Sequence, residues 1–250
     1  MLNVPAYLER IRYAGPAAPA PETLQAIQRA HMLAVPFENL DIHLGRKIVC
    51  DEARFLHKIV TEHRGGFCYE LNGAFATLLR ALGFQVTLLS ARVPRADGSD
   101  GPEFDHLTLR VDLQEPWLAD VGFGDGFLEP LRLKPALEQP QMGRIYRLTD
   151  GEGGFRLDVS AGDTWKREYS FTLQPRQLSD FAAMCHYHQT SPDSHFTRNR
   201  ICSRATEKGR VTLSNDKLIE TRNGVRTERV LAGAQEWRAI LQERFGVTLP

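Results

Sequence analysis

The chain has 250 residues, with 31 acidic and 31 basic side chains. That length suits one large domain or two to three small, tightly joined ones with a substantial core. The charge balance argues against nucleic acid or an anionic membrane surface as the main partner.

No apolar run approaches the ~20 residues needed to span a bilayer. The opening stretch MLNVPAYLERIRYAG is amphipathic, charged early, and has no signal-peptide core. A cytoplasmic protein away from the membrane is expected. Cys50, Cys68, Cys185 and Cys202 form no C-x-x-C pair. Free thiols in a reducing compartment fit better than disulfides, so each is core filler or a reactive group.

In chain order, the Pro- and Ala-rich segment 13–25 reads as a loop feeding a helix that carries Leu24, Ile27, Ala30 and His31 and stops at Pro36. His31 and His57 are expected at helix surfaces or edges. Segment 51–66 is predicted helical, ended by Gly65-Gly66. The clearest helix is FCYELNGAFATLLRALGF, with Leu71, Phe75, Leu78, Leu79 and Leu82 at helical spacing and Gly83 just past its end.

The period then changes. Segment 84–93 is strand-like, and HLTLRVDL (106–113) alternates, with Leu107, Leu109, Val111 and Leu113 on one face. WLADVGFG (117–124) follows as a strand. RIYRLTD, GFRLDVS, WKREYSFTL and RVTLSNDKLIETRNGVRTERV continue the pattern, with Asp150-Gly151 and Asn223-Gly224 as hairpin turns. Residues 234–246 form a last amphipathic helix. Helices followed by antiparallel strands indicate an α+β fold.

RGGFCYELN (64–72) places Cys68 between a glycine pair and a helix start. Helix-end N–H groups and a nearby imidazolium both favour a thiolate. A small buried hydrophobe is the other reading of the same residue. A nucleophilic cysteine needs a base, and the base needs an orienting group. His106 opens a strand after a polar loop, and Asp120 is a carboxylate within an apolar stretch that needs a partner. The two have the same parity about the 114–116 turn. A tight hairpin there sets Asp120 opposite Arg110, which leaves His106 roughly 13 Å away along the strand. A bulge or a wider loop would have to bring them together. Cys185, His186, His188 and Cys202 match no standard zinc spacing, and MCHYHQ reads as a loop or strand edge, so no metal is expected.

VPFENLDI (35–42), RGGFCYELN (64–72), HLTL (106–109), DVGFGDGF (120–127), TSPDSHF (190–196) and ERFGVTL (243–249) resemble, in order and spacing, the motifs of the arylamine N-acetyltransferases. The resemblance covers nearly the whole chain. It implies an N-terminal helical bundle (1–84), a central antiparallel β-barrel (85–188) and a C-terminal α/β lid (189–250), with a core like that of cysteine proteases. It implies a Cys68-His106-Asp120 triad and acetyl-CoA as the acyl-donor substrate, with no tightly bound cofactor. Ping-pong transfer would run through an acetyl-cysteine onto an arylamine or arylhydrazine nitrogen.

The same resemblance makes Glu38 and Arg64 a buried ion pair beside the cysteine, and Phe37, Phe123 and Phe196 acceptor-pocket walls. By composition alone those three phenylalanines would be core. Gly122 and Gly124 would border the entry of the CoA arm. Asp125 stands where many members have glycine, and an acid there would repel phosphates, which leaves the phosphate contacts unassigned. A related amide synthase acting on another acyl thioester, or a cysteine hydrolase or transglutaminase-like enzyme, would share these residues. The expected partners are small molecules, and the chain is expected to be a monomer or weak homo-oligomer.

Overall fold

The computed structural model describes residues 2–151, 153–160, 162 and 164–249. Helix α1 (Val4–Arg10) starts where the Asn3 side chain accepts the Ala6 N–H, and α2 (Pro21–Ala34) begins with proline in its first turn. A two-residue strand, β1 (Phe37–Glu38), and the short helix α3 (Leu40–His43) follow. Helix α4 (Glu52–Leu56) is capped by Asp51 and runs into a π-helical turn, His57–Thr61. That helical stretch ends five residues earlier than the sequence suggested. The chain reverses at His63 (φ 52°), and Arg10 donates to the Ile59 carbonyl that the helix end leaves open and to the His63 and Arg64 carbonyls just beyond it.

Gly65 and Gly66 therefore serve packing rather than helix termination. A Cβ on Gly65 would lie 1.9 Å from the Pro36 carbonyl oxygen, so only glycine lets the two segments run side by side. Helix α5 (Cys68–Ala81) follows at once. It stops at Gly83, whose φ of 92° supplies the left-handed residue that a helix end favours. Leu71, Phe75, Leu78 and Leu79 are fully buried in one cluster with Leu107, Leu109 and Val111. His31 also lies inside this cluster, fully buried against Phe75, and not at a helix edge.

Among the described residues the remaining strands form two antiparallel sheets. The first contains β2 (Gln85–Arg92), β3 (His106–Asp112), β4 (Pro116–Ala119), β5 (Leu131–Arg132), β6 (Gln139–Gln141), β7 (Arg144–Gly151), β8 (Gly154–Ser160) and β9 (Trp165–Phe171), in the order β5-β4-β3-β2-β9-β8-β7-β6. A bridge from Pro135 to Leu148 brings its two ends close to a closed barrel. Leu89, Leu118, Leu148, Leu157 and Tyr169 fill a second core between these strands.

Helix α6 (Ala182–Thr190) holds MCHYHQ, so that segment is helical and not a loop or strand edge. After the short helix α7 (His195–Arg198) come β10 (Ile201–Thr206), β11 (Gly209–Ser214), β12 (Lys217–Arg222), β13 (Val225–Val230) and α8 (Ala234–Phe245). Asn223-Gly224 forms the expected tight turn, both residues at positive φ. Asp150 and Gly151 instead pair in register with Phe155 and Gly154. Gly151 and Gly154 are thus the last paired residues of the two strands, and the expected turn residues belong to the strand. The second sheet runs β1-β10-β11-β12-β13, so residues 37–38 belong to the same sheet as 201–230.

Candidate active site

Cys68 is the first residue of α5, and His106 the first of β3, the strand on which that helix packs. The backbone N–H groups of Leu107, the neighbour of His106, and of Tyr69 face the Cys68 thiol and favour its ionised form. Burial pushes this thiol well above its ordinary range, the two N–H groups act the other way, and the Asp105 and Asp120 carboxylates add to the rise. The helix start alone therefore does not keep sulfur ionised. A thiolate here needs a cation formed beside it.

The hairpin joining β3 and β4 explains how His106 meets Asp120. Asp112 pairs with Pro116 and Leu109 with Ala119, so the loop is Leu113–Glu115. Continued one step, this register sets Asp120 opposite Thr108 rather than Arg110. His106 is then a diagonal neighbour two residues on, a separation of about 7–8 Å that a long side chain bridges. No bulge is needed. The strand ends at Ala119, earlier than the sequence suggested, and Asp120 turns inward.

The carboxylate of Asp120 is 2% exposed and accepts four hydrogen bonds. Oδ2 takes His106 Nε2 at 2.6 Å and Tyr169 Oη at 2.9 Å. Oδ1 takes Asn72 Nδ2 and the Gly122 N–H, both at 2.9 Å. Burial alone would raise this carboxyl, but His106, with Asn72 and Gly122, holds it below the ordinary range. When the His106 ring carries a single proton, the bond to an ionised Asp120 keeps it on Nε2 and leaves Nδ1 as an acceptor.

Asn72 and Tyr169 have no place in the sequence reading. Asn72 lies one helical turn beyond Cys68, so α5 carries both on one face. Its second amide proton goes to the Leu107 carbonyl at 2.6 Å, and its oxygen accepts the Val121 N–H at 2.9 Å. That spacing was the available signal. Tyr169 comes from β9, far along the chain, and its ring lies 5.1 Å from that of His106.

Glu38 and Arg64 meet at 2.8 Å, behind the helix start, in a group wider than a pair. Arg64 also contacts Asp41 at 3.0 Å, and Lys58 lies 2.8 Å from both Asp41 and Glu70. Three acids thus share two cations, all largely buried. Burial drives the Glu70 carboxyl up to about 7, only partly opposed by Lys58. Its other oxygen accepts the Phe67 N–H at the head of α5.

Phe37, Phe123 and Phe196 line one cavity of about 970 Å³, together with Gly124 and residues of both sheets. Phe123 packs edge-on against the His106 ring at 5.1 Å, so it forms the wall between this cavity and the His106-Asp120 pair; Cys68, His106 and Asp120 are not among the residues that line it. Gly122 is placed differently. It is buried on α5, where a Cβ would meet the Cys68 Cα at 2.8 Å. Among the described residues no group of three or more His, Cys, Asp or Glu is arranged to hold a metal, and no helix is long and apolar enough to cross a membrane.

The chain is 36% identical over 245 residues to the arylamine N-acetyltransferase of Escherichia coli strain K12, covering 96% of this chain and 87% of that one. The family model described as N-acetyltransferase matches residues 21–250. The chain belongs to the arylamine N-acetyltransferase family. Its fold agrees: the Salmonella typhimurium arylamine N-acetyltransferase superposes with a TM-score of 0.93 at 32% identity, over 99% of this chain and 92% of that one. The Mycobacterium marinum arylamine N-acetyltransferase in complex with CoA gives 0.92 at 31%, over 98% and 93%. The helices, the nearly closed eight-stranded sheet and the C-terminal sheet with its helix are those of an N-acetyltransferase, and acetyl transfer is the activity of this family.

Proposed function

We propose that this chain moves an acetyl group from acetyl-CoA to the nitrogen of an arylamine or arylhydrazine in two half-reactions through an acetyl-Cys68 intermediate. The observation that carries this reading is the Asp120 carboxylate. It accepts four hydrogen bonds, one from His106 Nε2 and one from Asn72 Nδ2, a helical turn beyond Cys68.

His106 Nδ1 takes the Cys68 proton as sulfur attacks the thioester carbonyl. The new imidazolium stays paired with Asp120, so the thiolate never has to exist alone in a buried place. N–H groups at the head of α5 hold the oxyanion. The carbon–sulfur bond to CoA breaks, and His106 returns its proton to the departing CoA thiolate. An amine lone pair then attacks the acetyl carbon, His106 accepts the amine proton, and the Cys68 sulfur leaves and is reprotonated by His106. Phe37, Phe123 and Phe196 offer flat apolar faces to an aromatic amine, and Gly124 keeps the cavity wall beside Phe37 free of a side chain.

The partition into 1–84, 85–188 and 189–250 belongs to the same proposal: the first segment supplies the thiol, the second the base and acid, the third the outer wall of the cavity. The Glu38-Arg64 pair acts by holding the backbone ahead of Cys68. The test is an intact mass after incubation with acetyl-CoA and no amine. A single acetyl adduct is expected, absent in Cys68→Ala and discharged by an arylamine faster than by water. An adduct that persists in Cys68→Ala sinks the assignment.

A further inference from the structure

The rim of the cavity carries charge that acyl transfer itself does not use. Asp125 lies two residues beyond Phe123, and its side chain is 60% exposed. Its two oxygens are divided between arginines from different sheets. Arg144, on β7, donates from Nη2 to Oδ2 at 2.9 Å and from Nη1 to the Asp125 backbone carbonyl at 3.0 Å. Arg210, on β11, donates from Nε to Oδ1 at 2.9 Å and from Nη1 to Ser203 Oγ at 3.2 Å. One carboxylate thus serves two guanidiniums.

Lys208 lines the same cavity and makes no ion pair among the described residues. Arg226 and Glu207, which also line it, are matched by Glu228 and Arg29. The unmatched charge at this rim is positive. Arg210 is only 14% exposed on its side chain. A guanidinium that far out of water with half a carboxylate is favoured by a further anion. Each guanidinium has five N–H donors, and these contacts use two or three of them. The acid at 125 therefore does not repel phosphates: it aligns two arginines whose charge exceeds its own.

We propose that Arg144 and Arg210, aligned by Asp125 and assisted by Lys208, bind the phosphates of the CoA donor. This rests on the acyl-transfer reading. A thioester donor has its phosphates at the far end of a flexible arm, so they dock at the exposed rim while the thioester reaches the floor, where Phe123 abuts His106. An aromatic amine belongs on the apolar floor instead.

The experiment compares acetyl-CoA with S-acetyl-N-acetylcysteamine, a thioester without phosphates, at a fixed neutral arylamine. Arg144→Gln and the exposed Lys208→Gln are set against wild type. The ratio of kcat/KM for acetyl-CoA over that for the short thioester should fall about tenfold in Arg144→Gln, mainly through KM, and less in Lys208→Gln. In wild type the ratio should shrink with added salt, and less steeply in the variants. An unchanged ratio in both variants overturns this inference and leaves acyl transfer standing. So does a change confined to the KM of a carboxylated arylamine. A wild type that takes acetyl from neither donor overturns the acyl-transfer reading and this inference together.

Discussion

Two buried carboxyls flank the start of α5, and their environments drive them in opposite directions. Glu70 is raised to about 7, because burial outweighs its single cation and Glu38 adds a like charge. Asp120 is equally buried, yet it is held low by His106, Asn72 and the Gly122 N–H. Burial alone therefore does not decide a carboxyl's charge. What decides it is whether every lone pair meets a donor and whether nearby charges balance. The Glu70 side has three acids on two cations and fixes backbone. The Asp120 side has one acid on one imidazole with three further donors, and holds a proton acceptor in a single tautomer.

The comparison breaks most sharply at Asp120→Asn. Asn72 Nδ2 and the Gly122 N–H both require an acceptor at the Oδ1 position. The new amide must then turn its nitrogen toward His106, which forces the ring proton onto Nδ1 and removes the base. Acetylation of Cys68 should slow by about 10⁴-fold while the fold persists. Single-turnover mass spectrometry checks this, and a loss of less than tenfold would mean that the tautomer is set elsewhere.

Arg64→Met attacks the other side. It leaves Glu38 and Asp41 with Lys58 as their remaining buried cation, Arg46 standing half-exposed 3.9 Å from Asp41, and should destabilise the protein by about 3–5 kcal/mol, read from the denaturant midpoint. A cost below about 1 kcal/mol would show that the charges escape to water.

Glu70→Gln gives the smallest effect and the finest distinction. A carboxyl raised from 4.5 to about 7 contributes stability that is complete below pH 4.5 and lost as pH rises through 7. The stability of Glu70→Gln minus wild type should therefore climb with pH across that window, by on the order of 1–3 kcal/mol. The difference is the proper readout because His31 runs the opposite way. Its burial lowers it from 6.5 to about 3, so its contribution is present above 6.5 and lost as pH falls. A flat difference would mean that Glu70 stays ionised.

The two sides were unequally legible in sequence. Helix α5 and strands β2 and β3 could be read because their apolar residues repeat at one period and pack on each other. Cys68, His106 and Asp120 stood out as chemical types in places where such types need a reason. Their meeting did not follow, because it depends on a loop register shifted by one residue and on a diagonal reach. Tyr169 and Lys58 were invisible for a different reason: each becomes polar machinery only through partners distant in the chain. The arginines at 144 and 210 lie on separate sheets, so nothing local marks them as neighbours. His31 looked like an edge residue since a lone histidine in an amphipathic helix carries no sign of which face it occupies.

The two-residue strand at Phe37–Glu38 has a consequence for the molecule as a whole. On one side it is stitched to Ser203 and Cys202, and on the other Phe37 bridges Gly66, two positions ahead of Cys68. Peeling away residues 201–250 would drag on this short splice and disturb the segment that seats the cysteine. The protein should consequently melt in one cooperative step, and trimming from the tail should not yield a smaller working enzyme.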